Sequence, residues 1–276
     1  MKRENWHDAK RRTARAALSH RTVELNYAEG PVSGEALLYL HGGDGRWQEG
    51  RALLEELACA FQVDGLDLRG HDLSGRVPGA YRLQDYVPDV ATFLEQVVNR
   101  PIVVIGHSMG GMWESCSRRA ILASCEHSLW GILRRYQGIS SQRMLASSRM
   151  HSDAFLSRAV PPLGALARLG NQEEVSRLRA KHLEHLDPEV LATVFDQGRM
   201  NQGYDAHVLL PVIRCPVLLL QADPEAGGLT PHEEIAPALA LLPRGKHVFL
   251  KGVSHAWLHD QPEQGRKAIA DFLTAV

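Results

Sequence analysis

Several features that would place a protein in a specialised class are scarce or missing here. The 276 residues include only four cysteines, spaced neither as a metal site nor as a disulfide framework (Cys59, Cys116, Cys125, Cys215). No apolar run approaches membrane-spanning length, and the basic start lacks the apolar core of a signal peptide. Because 31 basic residues balance 32 acidic ones, charge gives no reason to expect a nucleic acid or a membrane as partner. We therefore expect a soluble, cytoplasmic protein, of unknown oligomeric state.

What is present is an alternation of strand and helix patterns. β-favouring runs at 22–27, 36–40, 61–68, 102–105, 216–221 and 248–250 are separated by helical patterns at 49–60, 83–98 and 262–273. This alternation predicts a mostly parallel, doubly wound sheet of the α/β class with right-handed crossovers. The expected layout is a basic extension at 1–19 with a short solvated helix, a core at 20–135, a helical cap at 136–211, and the rest of the core at 212–276.

The stretch that carries chemistry is IVVIGHSMGG, residues 102–111. A buried strand runs into the pattern G-x-S-x-G, which places a serine on a sharp turn between a strand and a helix. Glycines flank Ser108 because side chains would clash where the backbone folds back so tightly. The pattern therefore predicts that Ser108 is a nucleophile.

A second glycine-rich turn follows the strand at 36–40. It reads His41, Gly42, Gly43, and small residues there let backbone N–H groups face a pocket. The Gly43 and Met109 N–H groups are expected to form an oxyanion hole, worth about 3 kcal/mol per donor. His41 is expected to bond the loop rather than to react.

Ser108 needs a base within hydrogen-bond reach, and that base needs an acid to hold its tautomer. His255 follows the last strand and is the predicted base. Asp223 and Glu225 both follow the strand at 216–221 and compete for the role of the acid, with Asp223 favoured. This chemistry requires neither a metal nor an organic cofactor.

These motifs together resemble the α/β-hydrolase fold superfamily, in its branch of serine esterases, lactonases and C–C hydrolases. The pieces are LLYLHGG at 37–43, DLRGHDLS at 67–74, GHSMGG at 106–111, PVLLLQADP at 216–224 and GVSHAWLHDQPE at 252–263. The order serine, acid, histidine is also the order of that superfamily. One departure is Asp72, which stands where the superfamily usually has glycine.

The resemblance implies a hydrolase that cleaves a small carboxylic ester or lactone through an acyl-enzyme with a Ser-His-Asp triad. C–C bond hydrolysis is the alternative within the fold, and an inactive or binding-only relative is the alternative outside catalysis. Dehalogenase and epoxide hydrolase activities are disfavoured, since those relatives carry Asp where Ser108 stands.

The segment at about 113–145 does not fit this pattern. After Gly111 the superfamily forms an amphipathic helix and an apolar strand, whereas residues 113–135 mix polar and apolar positions without such a strand. One inserted G after the Met112 codon permits the reading VGIVLAARYPGQLRALVVGDPAS over residues 113–135. We therefore hypothesise a frameshift across this segment, in preference to a divergent insertion. Charged residues buried there without partners would lower the stability and the activity of the chain as written.

Overall fold

The computed structural model of the chain describes residues 10–17, 22–31, 34–111, 125–131, 183–260 and 263–275. The chain divides into two compact units. One consists of Met1–Tyr136 and Asp187–Val276, and the other of Gln137–Leu186. Within the cap predicted at 136–211, helical spacing predicts helices at 154–169 and 172–186. The first of these, and most of the second, lie outside the described residues. In the described part of the chain, no helix is both long enough and apolar enough to cross a membrane.

The described residues form an eight-stranded sheet in the order β1-β2-β4-β3-β5-β6-β7-β8. Pairing is antiparallel for β1 with β2 and for β2 with β4, and parallel from β4 to β8. The parallel part brings the carboxyl ends of β3, β5, β7 and β8 to one edge. The strands are β1 (Lys10–Ala17), β2 (Thr22–Glu29), β3 (Glu35–Leu40), β4 (Phe61–Leu66), β5 (Ile102–His107), β6 (Cys125–Gly131), β7 (Val217–Ala222) and β8 (Gly245–Leu250).

In the part of the chain that the structure describes, helices lie between β3 and β4, between β4 and β5, between β6 and β7 and between β7 and β8. A 3₁₀ turn at Trp47–Gly50 precedes α1, and a π-type turn at Leu94–Val98 follows α2, so both predicted helices are divided in two. The helices are α1 (Arg51–Leu57), α2 (Leu83–Phe93), α3 (Pro188–Phe195), α4 (Gln197–Met200), α5 (Ala206–Leu209), α6 (Ile235–Leu241), α7 (Trp257–Asp260) and α8 (Glu263–Ala275).

The N-terminal prediction was wrong. Residues 10–17 form a strand rather than a solvated helix, and all eight of them pair antiparallel with β2. A full ladder of backbone hydrogen bonds outweighs the weak local helix preference of alanine and arginine. The basic stretch therefore forms the edge strand of the sheet.

Helices cover both faces of the sheet, as the alternation along β7 shows. Leu218 and Leu220 belong to a core cluster that includes Phe272 of α8. Val217 and Leu219 belong to a second cluster, which includes Ala238 of α6. Successive side chains of a strand point to opposite faces, so an uninterrupted apolar run is what a strand covered on both sides requires.

The unusual segment contains a strand that its own composition did not predict. Cys125–Gly131 lies between β5 and β7 and pairs in parallel with both. The expectation that residues 113–135 lack a strand was therefore wrong at this position. The strand coincides with LRALVVG, residues 125–131 of the hypothetical shifted reading.

A buried ion pair fixes the loop after β4 to α2. Arg69 donates two hydrogen bonds of 2.6 Å, one to each carboxylate oxygen of Asp89. The two side chains are 2% and 0% exposed. Two parallel bonds between planar groups set both distance and orientation, so they hold the loop in one place.

Candidate active site

Ser108 stands at the end of β5 in the conformation expected of a nucleophile turn. Its φ is 53°, a left-handed value that residues other than glycine rarely adopt. The turn is so tight that a Cβ on Gly106 would lie 2.5 Å from the Gly111 nitrogen. The two ends of the turn thus nearly touch, which leaves the Ser108 side chain at its apex.

The loop after β8 brings His255 to this serine. The Nε2 atom of His255 lies 3.1 Å from the Ser108 hydroxyl oxygen, across 147 positions of sequence. Ser108 is only 7% exposed. A hydroxyl that donates to an imidazole nitrogen at this distance can pass its proton to that nitrogen when it attacks.

The two competing acids occupy different surroundings. Asp223 is buried, and its carboxylate accepts hydrogen bonds from the Gly252 N–H at 2.8 Å and the Glu225 N–H at 3.0 Å. These backbone donors lower the pKa of Asp223 below its ordinary value. Glu225 is exposed. Asp223 is thus an ionised carboxylate bound to the loop that carries His255.

The loop after β3 lies against the serine turn. A Cβ on Gly42 would be 3.3 Å from the Cβ of Ser108, so this loop passes within van der Waals reach of the Ser108 side chain. Met109, the other predicted donor, follows Ser108 directly and is buried. The structure therefore brings together the loop of Gly43, the turn of Met109 and the Ser108–His255 pair.

His41 holds one peptide group of this loop. The Leu68 N–H donates to His41 Nε2 at 3.0 Å, which leaves Nδ1 as the protonated nitrogen. That nitrogen donates to the Gly42 carbonyl oxygen at 2.7 Å. In a trans peptide the C=O and N–H point in opposite directions, so fixing the Gly42 carbonyl also fixes the Gly43 N–H.

Most of the chain matches one known protein family. The model of a family described as "Alpha/beta hydrolase family" matches residues 37–268, which is most of the chain. The chain belongs to this family. The predicted fold class is therefore confirmed, and so is the prediction of a hydrolase.

Individual relatives of this α/β-hydrolase are distant. The 2-(acetamidomethylene)succinate hydrolase of Mesorhizobium japonicum is 24% identical over 277 residues, covering 92% of each protein. Epoxide hydrolase 2 of Caenorhabditis elegans is 29% identical over 107 residues, which are 38% of this chain and 30% of that protein. A thermophilic esterase from Thermogutta terrifontis superposes with a TM-score of 0.76 at 22% identity, covering 97% of this chain and 99% of that one.

Helix α3 of the hydrolase packs over the loop after β3, which contains Gly43. A Cβ on Gly43 would lie 2.9 Å from both γ-methyl groups of Val194, so this side chain rests on the glycine. The start of the helix is fixed by Asp187, which accepts a hydrogen bond of 2.7 Å from the Tyr81 hydroxyl and donates its N–H to the Gly70 carbonyl at 2.8 Å. Part of the segment predicted as a cap is thus firmly attached to the core.

One residue of the site was not singled out from the sequence. His107 directly precedes Ser108, and its Nε2 lies 3.0 Å from the carbonyl oxygen of His255. The G-x-S-x-G pattern leaves this position open, and the partner is 148 positions away, so no local signal identifies the contact. Among the described residues, no group of three or more His, Cys, Asp or Glu is arranged to hold a metal ion.

Proposed function

We propose that this α/β-hydrolase cleaves a carboxylic ester or lactone of a small molecule through an acyl-enzyme on Ser108. The observation that carries the proposal is the 3.1 Å contact between the Ser108 hydroxyl and His255 Nε2. A serine hydroxyl is a weak nucleophile by itself and becomes a strong one only beside such a base. The left-handed φ of Ser108 supports the same role, because strained backbone tends to be kept where function requires it.

The reaction proceeds in two acyl-transfer steps. Ser108 attacks the substrate carbonyl while His255 takes its proton, and His255 then protonates the departing alcohol oxygen. In the second step, water attacks the resulting ester while His255 takes a proton from it. The bond between the acyl group and Ser108 then breaks, the acid leaves, and His255 returns the proton to the Ser108 oxygen. In each step the Gly43 and Met109 N–H groups stabilise the negative oxygen of the tetrahedral intermediate.

Asp223 is the proposed acid of the triad. It is buried, its lowered pKa keeps it ionised, and it binds the His255 loop through Gly252. An anion at this place stabilises the imidazolium that forms when His255 accepts a proton. Glu225 is exposed and is the weaker candidate.

A fluorophosphonate probe tests the proposal directly, since it labels a serine only when the base activates it. The wild-type protein should be labelled, and the Ser108→Ala variant should not. A panel of p-nitrophenyl esters and lactones should then show turnover that is lost in the same variant. A folded wild-type protein that resists the probe would contradict the proposal and favour a binding-only relative.

Hydrolysis of a bond other than an ester is the second candidate. It is favoured by the full-length similarity to a hydrolase named for 2-(acetamidomethylene)succinate, an amide-containing dicarboxylate. The same serine, base and oxyanion donors would serve there or in C–C bond hydrolysis. Labelling of Ser108 without turnover of any ester or lactone, together with turnover of amides or diketone acids, would select this candidate.

A further inference from the structure

His107 connects the nucleophile turn to the loop that carries the base. Its Nε2 lies 3.0 Å from the His255 carbonyl oxygen, and the centroids of the two rings are 5.0 Å apart. A carbonyl oxygen can only accept, so His107 Nε2 carries the hydrogen and donates it. His107 also packs edge-on against Trp257, the first residue of α7, with centroids 6.4 Å apart.

The loop that carries His255 spans several strands of the sheet. It leaves β8, which is three strands away from β5 in the sheet. At about 4.8 Å between neighbouring strands, His255 must reach back over roughly 14 Å to meet Ser108. The near end of this loop is held by Asp223, which accepts from the Gly252 N–H at 2.8 Å and donates its own N–H to the Val253 carbonyl at 2.8 Å.

The far end of the loop is held at His255 itself. The side chain of His255 contacts Ser108, and its carbonyl group accepts from His107. The contact with Ser108 must change in every catalytic cycle as the proton moves, whereas the contact with His107 involves no group that reacts. An anchor of this kind can keep the base in place while its ring exchanges protons.

We infer that His107 is a positioning residue. It holds the imidazole of His255 at hydrogen-bonding distance from Ser108 by donating Nε2–H to the His255 backbone carbonyl. The inference rests on the proposed serine hydrolase function. It assigns His107 no proton transfer to substrate and no contact with it. It also explains the geometry of the pair, since one residue supplies both the backbone that precedes the nucleophile and the anchor of the base.

Two amide substitutions separate this role from a general structural one. In His107→Gln, the side-chain nitrogen can occupy the place of Nε2 and donate to His255. In His107→Asn, the nitrogen falls at the place of Nδ1 and is too short to reach. Both variants are polar and similar in size, so their melting temperatures should be alike. His247→Leu, which removes a 3.1 Å bond from His247 Nε2 to Gln221, is the control for losing a half-buried histidine elsewhere.

The readout is the rate constant of Ser108 labelling by a fluorophosphonate, separated into probe affinity and maximal rate. A misplacement of about 1 Å in a catalytic group can cost on the order of 100-fold in rate. We expect His107→Asn to lower the maximal rate by at least tenfold with probe affinity unchanged, and His107→Gln to keep most of the wild-type rate. Where p-nitrophenyl acetate is turned over, kcat should fall in the same way with little change in KM.

Each outcome decides a different point. Equal rates for the Asn and Gln variants, whether both normal or both impaired, would overturn the positioning role. A wild-type protein that is folded yet not labelled would overturn the proposed function and this inference with it. Labelling of the wild type with a fall confined to the Asn variant would support both.

Discussion

The two ring nitrogens of His41 form hydrogen bonds with two different loops, at Leu68 and at Gly42. The ring accepts from the Leu68 N–H at 3.0 Å through Nε2 and donates to the Gly42 carbonyl at 2.7 Å through Nδ1. The first bond fixes the tautomer, and the second fixes the peptide group whose N–H belongs to Gly43. The oxyanion donor proposed at Gly43 therefore depends in part on the buried side chain of His41, beside the Gly45 N–H, which donates to the same Gly42 carbonyl at 3.1 Å.

A pair of substitutions at His41 tests this dependence. Asn can keep the donor near the place of Nδ1, whereas Gln extends to the place of Nε2 and loses the bond to Gly42. We expect His41→Asn to retain more activity than His41→Gln, with the loss appearing in kcat rather than KM. The loss for Gln should be about 10- to 100-fold, since an oxyanion donor is worth about 10² to 10³. Equal kcat values in the two variants would contradict the role.

The two candidate acids predict opposite results. Asp223→Asn should lower kcat by about 10³-fold or more, because the neutral amide no longer favours the imidazolium of His255. Glu225→Gln is the matched control and should leave kcat within about twofold, since Glu225 is exposed. Steady-state kinetics on one ester suffices to measure both. A large loss in the Glu225 variant alone would reverse the assignment.

The contact between Gly43 and Val194 predicts a dependence between the two positions. In Gly43→Ala, the new methyl group would meet both γ-methyl groups of Val194 at 2.9 Å and push the loop aside. Val194→Ala removes those groups, so the double variant should recover part of the lost kcat/KM. A double-mutant cycle should give a coupling of about 1 kcal/mol or more. Additive effects of the two substitutions would show that the displaced loop is not the cause.

Asp64 predicts a pH dependence of stability. Burial, and then the nearby charge of Glu29, raise its pKa from 3.8 to about 7. Glu29 is the residue opposite Asp64 in the pairing of β2 with β4. Because the folded state holds this proton more tightly than the unfolded chain, the group's contribution to stability falls as pH rises from about 4 to about 7 and stays low above that.

Asp64→Asn mimics the protonated carboxyl at every pH. Its free energy of unfolding should exceed that of the wild type by up to about 4 kcal/mol at pH 8, and the difference should disappear below about pH 4. Urea unfolding at a series of pH values measures this. Asp271→Asn at an exposed position on α8 is the control and should show a much smaller change. A difference that grows towards low pH would contradict the cause given for the shift.

The frameshift hypothesis predicts both a gene sequence and a protein property. Codons 110–150 should be compatible with the shifted reading over residues 113–135. A protein carrying VGIVLAARYPGQLRALVVGDPAS at 113–135 should melt roughly 5–10 °C higher than the chain as written. The reason is that β6 lies between two parallel strands, where an apolar run such as LRALVVG suits a sheet covered on both faces. Nucleotides incompatible with that reading would exclude the hypothesis.

Local pattern was enough for the central strands. The strands predicted at 36–40, 102–105 and 216–221 correspond to β3, β5 and β7, because a strand buried on both faces leaves a continuous apolar run. The edge strand β1 and the interior strand β6 could not be found in this way. Pairing with the adjacent strands decides the structure of β1 and of β6. Neither of their sequences resembles that of a buried strand.

In the site, too, local sequence predicts some residues, whereas contacts between distant segments decide the others. G-x-S-x-G and the order of strands pointed to Ser108 and His255, which the structure places 3.1 Å apart. Spacing alone could not choose between Asp223 and Glu225, since both follow the same strand by a few residues. Hydrogen bonds between distant segments distinguish these two acids. The contact of His107 with His255 is also between distant segments, so local sequence could not predict it.

The Arg69–Asp89 pair limits how this sequence can change over time. Loss of either partner alone leaves a buried charge without compensation, at a cost of about 3–5 kcal/mol. That is a large share of the roughly 5–15 kcal/mol by which a typical domain is stable. An apolar replacement of both residues could be as stable as the pair, yet every route of single substitutions to it passes through a poorly folded intermediate. Among related sequences, the two positions are therefore expected to be conserved together or replaced together.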